Sequence, residues 1–122
     1  MRRLGLVTLS EPDYLRAMFT VVKTAGLEAA AAEGNVGVLG LAYQRCLNGF
    51  KHLLPPPELK HPHSEILEVC EGMIRALSSV VEINQLTDRE SVQDFAKRGA
   101  LAFGALQEAA DRLGLGISFR RL

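Results

Sequence analysis

The sequence has no tryptophan, only two tyrosines and five phenylalanines, and no net charge, because fourteen acidic residues balance fourteen basic ones. A neutral chain lacks the broad field that concentrates nucleic acid or an anionic membrane at a protein surface. The scarcity of aromatic side chains, beside many Ala, Leu and Val, favours close packing of helices over a sandwich of sheets. We therefore expect neither a nucleic-acid partner nor a membrane partner.

Long apolar runs and closely paired cysteines are also missing. No stretch approaches the roughly 20 apolar residues that a membrane-spanning helix needs, and Leu4–Leu9 is too short for the core of a signal peptide. Cys46 and Cys70 are too few for a disulfide scaffold, and they lack the spacing of a zinc site or a redox CxxC motif. These absences predict a cytoplasmic protein.

Helical periodicity is the strongest signal that the chain does contain. Four segments repeat apolar residues in steps of three and four, the spacing that draws one stripe along an α-helix. They predict helices at about residues 11–33, 36–54, 62–85 and 88–113. The 122 residues fit one domain, and short connections place successive helices antiparallel. We therefore predict a single all-α domain, 1–122, folded as an antiparallel up-down four-helix bundle with short extended terminal segments.

Several residues mark the ends of these helices. Ser10 is a typical N-cap for the first helix, and Gly34-Asn35 offers the left-handed conformation that ends it. Thr87–Glu90 matches a capping box and predicts the start of the fourth helix. Gly114 is placed to close that helix, and the apolar tail after it is predicted to pack, with Leu4–Leu9 as a candidate strand partner.

The proline-rich corner, residues 55–57, breaks the chain between the second and third helices. The third helix could begin at Pro57 or near Pro62. We prefer Pro62, because a proline inside the helix would remove a backbone donor.

The second helix contains Gly37, Gly40 and Gly49, and each lowers its helix propensity by about 1 kcal/mol relative to Ala. These glycines either let a neighbouring helix come close or reflect local irregularity. Such a helix must be held by its packing.

Three histidines, His52, His61 and His63, are the only candidates for a metal site. Zinc accepts three imidazoles and a water, so a mononuclear site at the proline-rich corner is one interpretation. The interpretation that we favour leaves His52 and His61 in solvent and places His63 on the buried stripe, hydrogen-bonded to a carbonyl or a helix end. We predict no bound cofactor.

Both cysteines lie on core stripes of consecutive helices and could share one layer of the bundle. Free cysteine often serves as a small buried apolar residue, and disulfides are rare in the cytosol. We therefore favour two buried thiols at Cys46 and Cys70, with a reversible disulfide as the alternative.

The sequence shows no motif of catalysis. The serines lack the glycine-flanked turn of a nucleophile elbow, and no glycine-rich loop precedes a helix to hold phosphate. We expect a protein that is not an enzyme.

Apolar residues outside the main stripes suggest association. Leu15, Phe19, Leu41 and Leu101 lie off the stripes, and small residues recur on more than one side of the first and fourth helices. Such faces either widen a stripe inside one bundle or form a surface that another subunit covers. The first functional hypothesis is a protein-protein interaction or assembly module, as a homo-oligomer or with a protein partner. The alternative is a bundle that binds a small molecule or a metal at the His/Pro-rich corner and in an interior lined by Tyr14, Tyr43, Cys46, His63 and Cys70.

Overall fold

The computed structural model describes residues 8–31, 33, 35–78 and 89–119. Within them the chain forms four α-helices, which are α1 (Glu11–Ala31), α2 (Val36–Lys51), α3 (Lys60–Ser78) and α4 (Arg89–Arg112). A 3₁₀ turn, Pro57–Leu59, leads directly into α3. The helices pack against one another, and the described residues form no strand. The predicted all-α fold is confirmed.

Capping residues at two helix ends act as predicted. The Ser10 hydroxyl accepts a hydrogen bond from the Asp13 backbone N–H at 3.3 Å, which satisfies a donor at the start of α1. At the end of α4, Gly114 has a φ of 67°. The Leu115 N–H then bonds to the Ala110 carbonyl, and the Gly114 N–H to the Asp111 carbonyl, both at 3.1 Å. This pair of bonds is the Schellman motif that ends a helix at glycine.

The junction between α1 and α2 differs in detail from the prediction. The left-handed residue is Glu33, with a φ of 51°, and Asn35 has a φ of −71°. Asn35 instead begins α2, because its side-chain oxygen accepts a hydrogen bond from the Val38 N–H at 3.1 Å. Gly34 lies outside the described residues, as do 79–85, the predicted end of the third helix, and Thr87 of the predicted capping box.

The third helix begins at Lys60, two residues before the predicted start at Pro62. The Leu59 N–H bonds to the Pro56 carbonyl at 3.0 Å, so the 3₁₀ turn already shapes the chain for a helix. Pro62 is the third residue of α3, where an N–H would have no partner inside the helix. The proline therefore removes no helical hydrogen bond and does not delay the helix.

The second helix ends earlier than predicted, at Lys51 instead of residue 54. Leu54 leaves the helix and accepts a hydrogen bond from the Leu9 N–H at 3.1 Å. The described part of the N-terminal arm thus pairs with the proline-rich corner, and Leu4 to Val7 of the proposed arm-to-tail pairing lie outside the described residues.

Contacts between neighbouring helices run in opposite chain directions. Between α1 and α2, Val21 lies beside Gly49 while Glu28 binds Arg45. The other helix pairs show the same opposed order, in the contacts Glu65–Arg98 and Gly72–Phe95 for α3 and α4, and Glu11–Arg112 for α1 and α4. The helix contacts are consistent with a helical bundle, and the antiparallel up-down topology stays a prediction.

One half of the bundle is tightly filled, and we call it the packed half. It comprises the start of α1, the end of α2, the start of α3 and the end of α4. Its largest side chains have at most 1% of their surface exposed: Tyr14, Leu15, Met18, Phe50, Ile66 and Leu106. Leu59 from the 3₁₀ turn joins the same cluster.

The chain after α4 packs onto this half, as predicted for the tail. Phe119 is buried and its ring contacts the rings of Phe19 and Phe103. The buried amide of Gln107 fixes the tail, since it accepts from the Phe119 N–H at 2.8 Å and donates to the Ile117 carbonyl at 3.0 Å.

Candidate functional site

The other half of the bundle contains a partly open cavity of about 510 Å³, and we call it the cavity half. All four helices contribute to the walls. The residues that line the cavity are Val22, Ala25, Gly26, Ala29, Leu39, Ala42, Tyr43, Cys46, Phe50, Ile66, Val69, Cys70, Met73, Val92, Phe95, Ala96, Gly99, Ala100 and Phe103. Phe50 and Ile66 also belong to the packed half, so they form the floor between the two halves.

Small side chains on α1 and α4 leave this space open. Ala25 and Ala29 on α1, and Ala96, Gly99 and Ala100 on α4, line the cavity with little or no side chain. These two helices contact each other much less than the other neighbouring pairs do. Protein interiors are normally filled to crystal-like density, so a space of this size is a feature of the site and not ordinary packing.

Phe95 extends across the cavity wall because Gly72 makes room for it. A methyl group on residue 72 would overlap the Phe95 ring. Gly72 is itself buried within α3. The Phe95 ring of α4 therefore fits into the notch that Gly72 leaves in α3. This contact sets how far the Phe95 side chain reaches into the cavity.

Among the described residues, the cavity wall carries no charged side chain, and its side chains with hydrogen-bonding groups are Tyr43, Cys46 and Cys70. Tyr43 and Cys46 are three residues apart on α2 and share a face. Cys70 faces them from α3 and is buried. The three groups lie near enough to interact electrostatically, so they form one polar spot in an otherwise apolar wall.

All three groups of this polar spot are neutral at ordinary pH. Burial raises the pKa of Cys46 to about 11 and that of Cys70 to about 12, with smaller contributions from nearby Glu28 and Glu71 respectively. Burial also raises the pKa of Tyr43. Because the thiolate is the form that binds metals and attacks electrophiles, these protonated thiols are poorly suited to either role.

The two cysteines do meet at one site, as their stripe positions suggested. Both are free, and both line the cavity. Cys70 is buried, as the favoured interpretation of a small buried residue predicts, whereas Cys46 is only partly buried.

The three histidines lie apart from the cavity wall and in different environments. The His52 ring bonds through Nδ1 to the Asn48 carbonyl at 2.6 Å on the exposed end of α2. His61 is exposed at the start of α3, and His63 is buried with 5% of its surface exposed. Among the described residues, no three His, Cys, Asp or Glu side chains group closely enough to hold a metal ion. The metal interpretation of His52, His61 and His63 gains no support from this arrangement.

His63 instead forms a buried pair with Tyr14. The Tyr14 hydroxyl and His63 Nδ1 are 2.7 Å apart, and the His63 ring also hydrogen-bonds to the backbone of Phe50. Burial lowers the pKa of His63 despite the opposing effect of the Phe50 bond, and burial raises the pKa of Tyr14. A neutral imidazole can then accept at Nδ1 from the phenol and donate at Nε2 to the carbonyl. The favoured sequence interpretation placed His63 in such a bond to a carbonyl.

The acidic face of α3 is held by α4. Arg98 donates to both carboxylate oxygens of Glu65, at 2.7 and 3.3 Å, and to Glu68 at 3.1 Å. These hydrogen bonds hold the pKa of Glu65 below its usual value. The forked guanidinium fixes the register of the two helices that carry Gly72 and Phe95.

The apolar residues outside the main stripes divide into two groups. Leu15 is fully buried, and Phe19 packs against the core next to Phe119. Leu41 and Leu101 are exposed over 57% and 78% of their surface, and Leu27 over 67%. Leu15 and Phe19 therefore widen the apolar stripe of α1 inside the bundle. Leu27, Leu41 and Leu101 lie on the surface.

Comparison with known proteins gives no guide to function, since the chain matches no family model, no curated protein and no solved structure. No helix within residues 8–31, 35–78 and 89–119 has the length and apolar character needed to cross a membrane.

Proposed function

We propose that this protein binds a small, neutral, largely apolar molecule in the cavity half of the bundle. The observation that supports the proposal is the cavity itself, which is about 510 Å³ in volume, partly open and lined by residues of all four helices. Ligand sites typically have volumes of about 300–1,000 Å³, an apolar lining and a few placed polar groups, and they occur between the helices of bundles. The small-molecule part of the alternative sequence hypothesis is therefore the better supported function.

The chemistry of the wall selects against charged ligands. No Lys, Arg, His, Asp or Glu side chain of the described residues lines the cavity, so an ionised ligand would lose its hydration without gaining a partner among them. Such a transfer costs far more than the transfer of a neutral group. The occupant is therefore neutral under the conditions of binding.

The test replaces a small cavity-lining residue with leucine. The control is the same substitution at a surface position of the same helix. Ala25 is buried on α1 and lines the cavity, whereas Ala30 is exposed on the same helix and does not line it. The probes are naphthalene, as a neutral apolar molecule, and β-naphthoate, as its anionic counterpart. Binding is measured by titration calorimetry and by the shift in melting temperature.

We expect the natural protein and Ala30→Leu to bind naphthalene and to reject β-naphthoate. We expect Ala25→Leu to lose naphthalene binding, while the free energy of unfolding rises by about 0.5–2 kcal/mol because the new side chain fills space. No naphthalene binding by the natural protein, or equal binding by Ala25→Leu, would contradict the proposal.

A second candidate function is association through the exposed leucines, as a homo-oligomer or with a protein partner. Leu27 precedes Glu28, and Leu41 lies one turn before Arg45, so the Glu28–Arg45 salt bridge of 2.6 Å places both leucines at the same end of the α1–α2 pair. Single exposed leucines are common on monomers, so this candidate ranks second. Light scattering over a range of protein concentrations measures it, and a constant monomer mass would remove it.

A further inference from the structure

We infer that the cavity recognises a ligand with one neutral hydrogen-bonding group, such as a hydroxyl or a carbonyl, which binds to the Tyr43 hydroxyl. The inference rests on the proposed function, because it assigns the ligand class of the same cavity. It adds an orientation, in which the polar end of the ligand points toward α2 and α3 and the apolar body toward α1 and α4.

The two tyrosines of the chain show why Tyr43 has this role. The Tyr14 hydroxyl already has a partner, His63 Nδ1 at 2.7 Å, in the packed half. Tyr43 lines the cavity, its hydroxyl lies near the cavity-lining Cys46 and Cys70, and no hydrogen bond joins this hydroxyl to any other described residue. None of the fully buried polar side-chain atoms in the described part of the chain lacks a partner. An unpaired phenol is thus accessible at the cavity wall and retains its full capacity to donate and accept.

The surroundings of Tyr43 make this group selective. Its two polar neighbours, Cys46 and Cys70, are protonated thiols, which are weak hydrogen-bonding groups. Phe50, Ile66 and the small residues of α1 and α4 offer only apolar contact. Among the described residues of the cavity wall, Tyr43 is therefore the one strong hydrogen-bonding partner for a polar atom of the ligand. Only one orientation of the ligand brings that atom to the Tyr43 hydroxyl.

The test uses naphthalene and β-naphthol, which share a ring system and differ by one hydroxyl. The variants are Tyr43→Phe, which removes one oxygen from the cavity wall, and Tyr14→Phe, which removes the matching oxygen from the packed half. Calorimetry gives the affinity of each protein for each probe.

We expect Tyr43→Phe to weaken β-naphthol binding about fivefold while naphthalene binding stays unchanged, as for a typical neutral hydrogen bond. Tyr14→Phe should lower the melting temperature and leave the preference between the two probes unaltered. Equal effects of Tyr43→Phe on both probes would overturn the inference and leave the cavity proposal standing. No binding of either probe to the natural protein would overturn both.

A second measurement needs no variant and covers the case in which Tyr43→Phe fails to fold. The ratio of β-naphthol to naphthalene affinity in the natural protein is compared with their partition ratio from water into an alkane, which offers no hydrogen bond. We expect the ratio of β-naphthol to naphthalene affinity in the protein to exceed the alkane partition ratio at least about tenfold. The reason is that the hydroxyl loses its hydrogen bonds to water in the alkane and gains none there. A ratio equal to that of the alkane would overturn the inference.

Discussion

The packed half and the cavity half are built from the same four helices and differ in what lies between them. In the packed half, Tyr14, Phe50 and Leu106 fill the axis and are almost completely buried. In the cavity half, Ala25 on α1 and Gly99 on α4 stand where larger side chains would meet. The difference shows that large side chains fill the bundle at one end, whereas small ones leave open space at the other.

The largest expected effect is a loss of stability confined to the packed half. Leu106 is fully buried there, and Leu106→Ala should lower the free energy of unfolding by about 3 kcal/mol, from lost burial and the cavity left behind. Met73 lines the existing cavity and is only partly buried, so Met73→Ala should cost about 1 kcal/mol or less. Urea denaturation measures both. Equal losses would show that the two halves are equally well packed.

The second-largest expected effect is a loss of stability at acidic pH, caused by His63 in the packed half. Its pKa in the folded protein is lowered, so the unfolded chain takes up a proton more readily once the pH falls below about 6.5. Stability is then complete above that pH and decreases on acidification, by at most about 1.4 kcal/mol per pH unit, until the pH reaches the lowered folded pKa. Denaturation curves between pH 7.5 and about 5 measure this slope.

The exposed His61 on the same helix provides the control for that measurement. We expect His63→Gln to flatten the dependence of stability on pH in this range and His61→Gln to retain it. If both variants retained the slope of the natural protein, another group would be responsible.

The smallest effects come from two glycines, Gly72, which contacts the cavity-lining Phe95, and Gly104, which lies away from the cavity wall. A methyl group at Gly104 would meet nothing within 4 Å, so Gly104→Ala should raise the free energy of unfolding by up to about 1 kcal/mol through helix propensity. Gly72→Ala gains the same propensity but must displace the Phe95 ring, at a typical cost of about 1–3 kcal/mol.

The Phe95 ring lines the cavity, so a side chain added at Gly72 would push it toward that space. Gly72→Ala should therefore give a net loss of about 1 kcal/mol and weaken naphthalene binding, whereas Gly104→Ala should bind naphthalene as the natural protein does. Thermal denaturation and calorimetry measure both quantities. A stabilised Gly72→Ala variant with full binding would show that the notch in α3 does not control the cavity.

The helices were predictable because their signals are local. Each signal involves only residues within two or three helical turns of one another. These signals are the apolar steps of three and four, the cap at Ser10 and the helix end at Gly114. The start of α3 was harder, since it depends on whether Pro62 falls among the first residues of the helix, and a shift of two residues decides that.

The cavity was not predictable in the same way, because it depends on which faces of distant helices meet. The small residues of α1 and α4 were visible in the sequence. Their pattern was equally consistent with a widened stripe inside the bundle and with an outer surface that a partner covers. The structure turns Ala25, Ala29 and Gly99 toward the cavity. The notch formed by Gly72 and Phe95 depends on the register of two helices, which no local pattern contains.

The Tyr14–His63 bond has a consequence for which fold the chain can adopt. It joins α1 to α3, which otherwise scarcely contact each other within the described residues. Apolar side chains accept many neighbours, so a core held only by such contacts could be assembled with its helices shifted along one another. Only the arrangement that brings these two residues together avoids burying an unpaired phenol and imidazole, a penalty of about 1–3 kcal/mol for each group. One buried hydrogen bond thereby favours one relative height of α1 and α3 over shifted registers that the apolar stripes alone would leave nearly equal in energy.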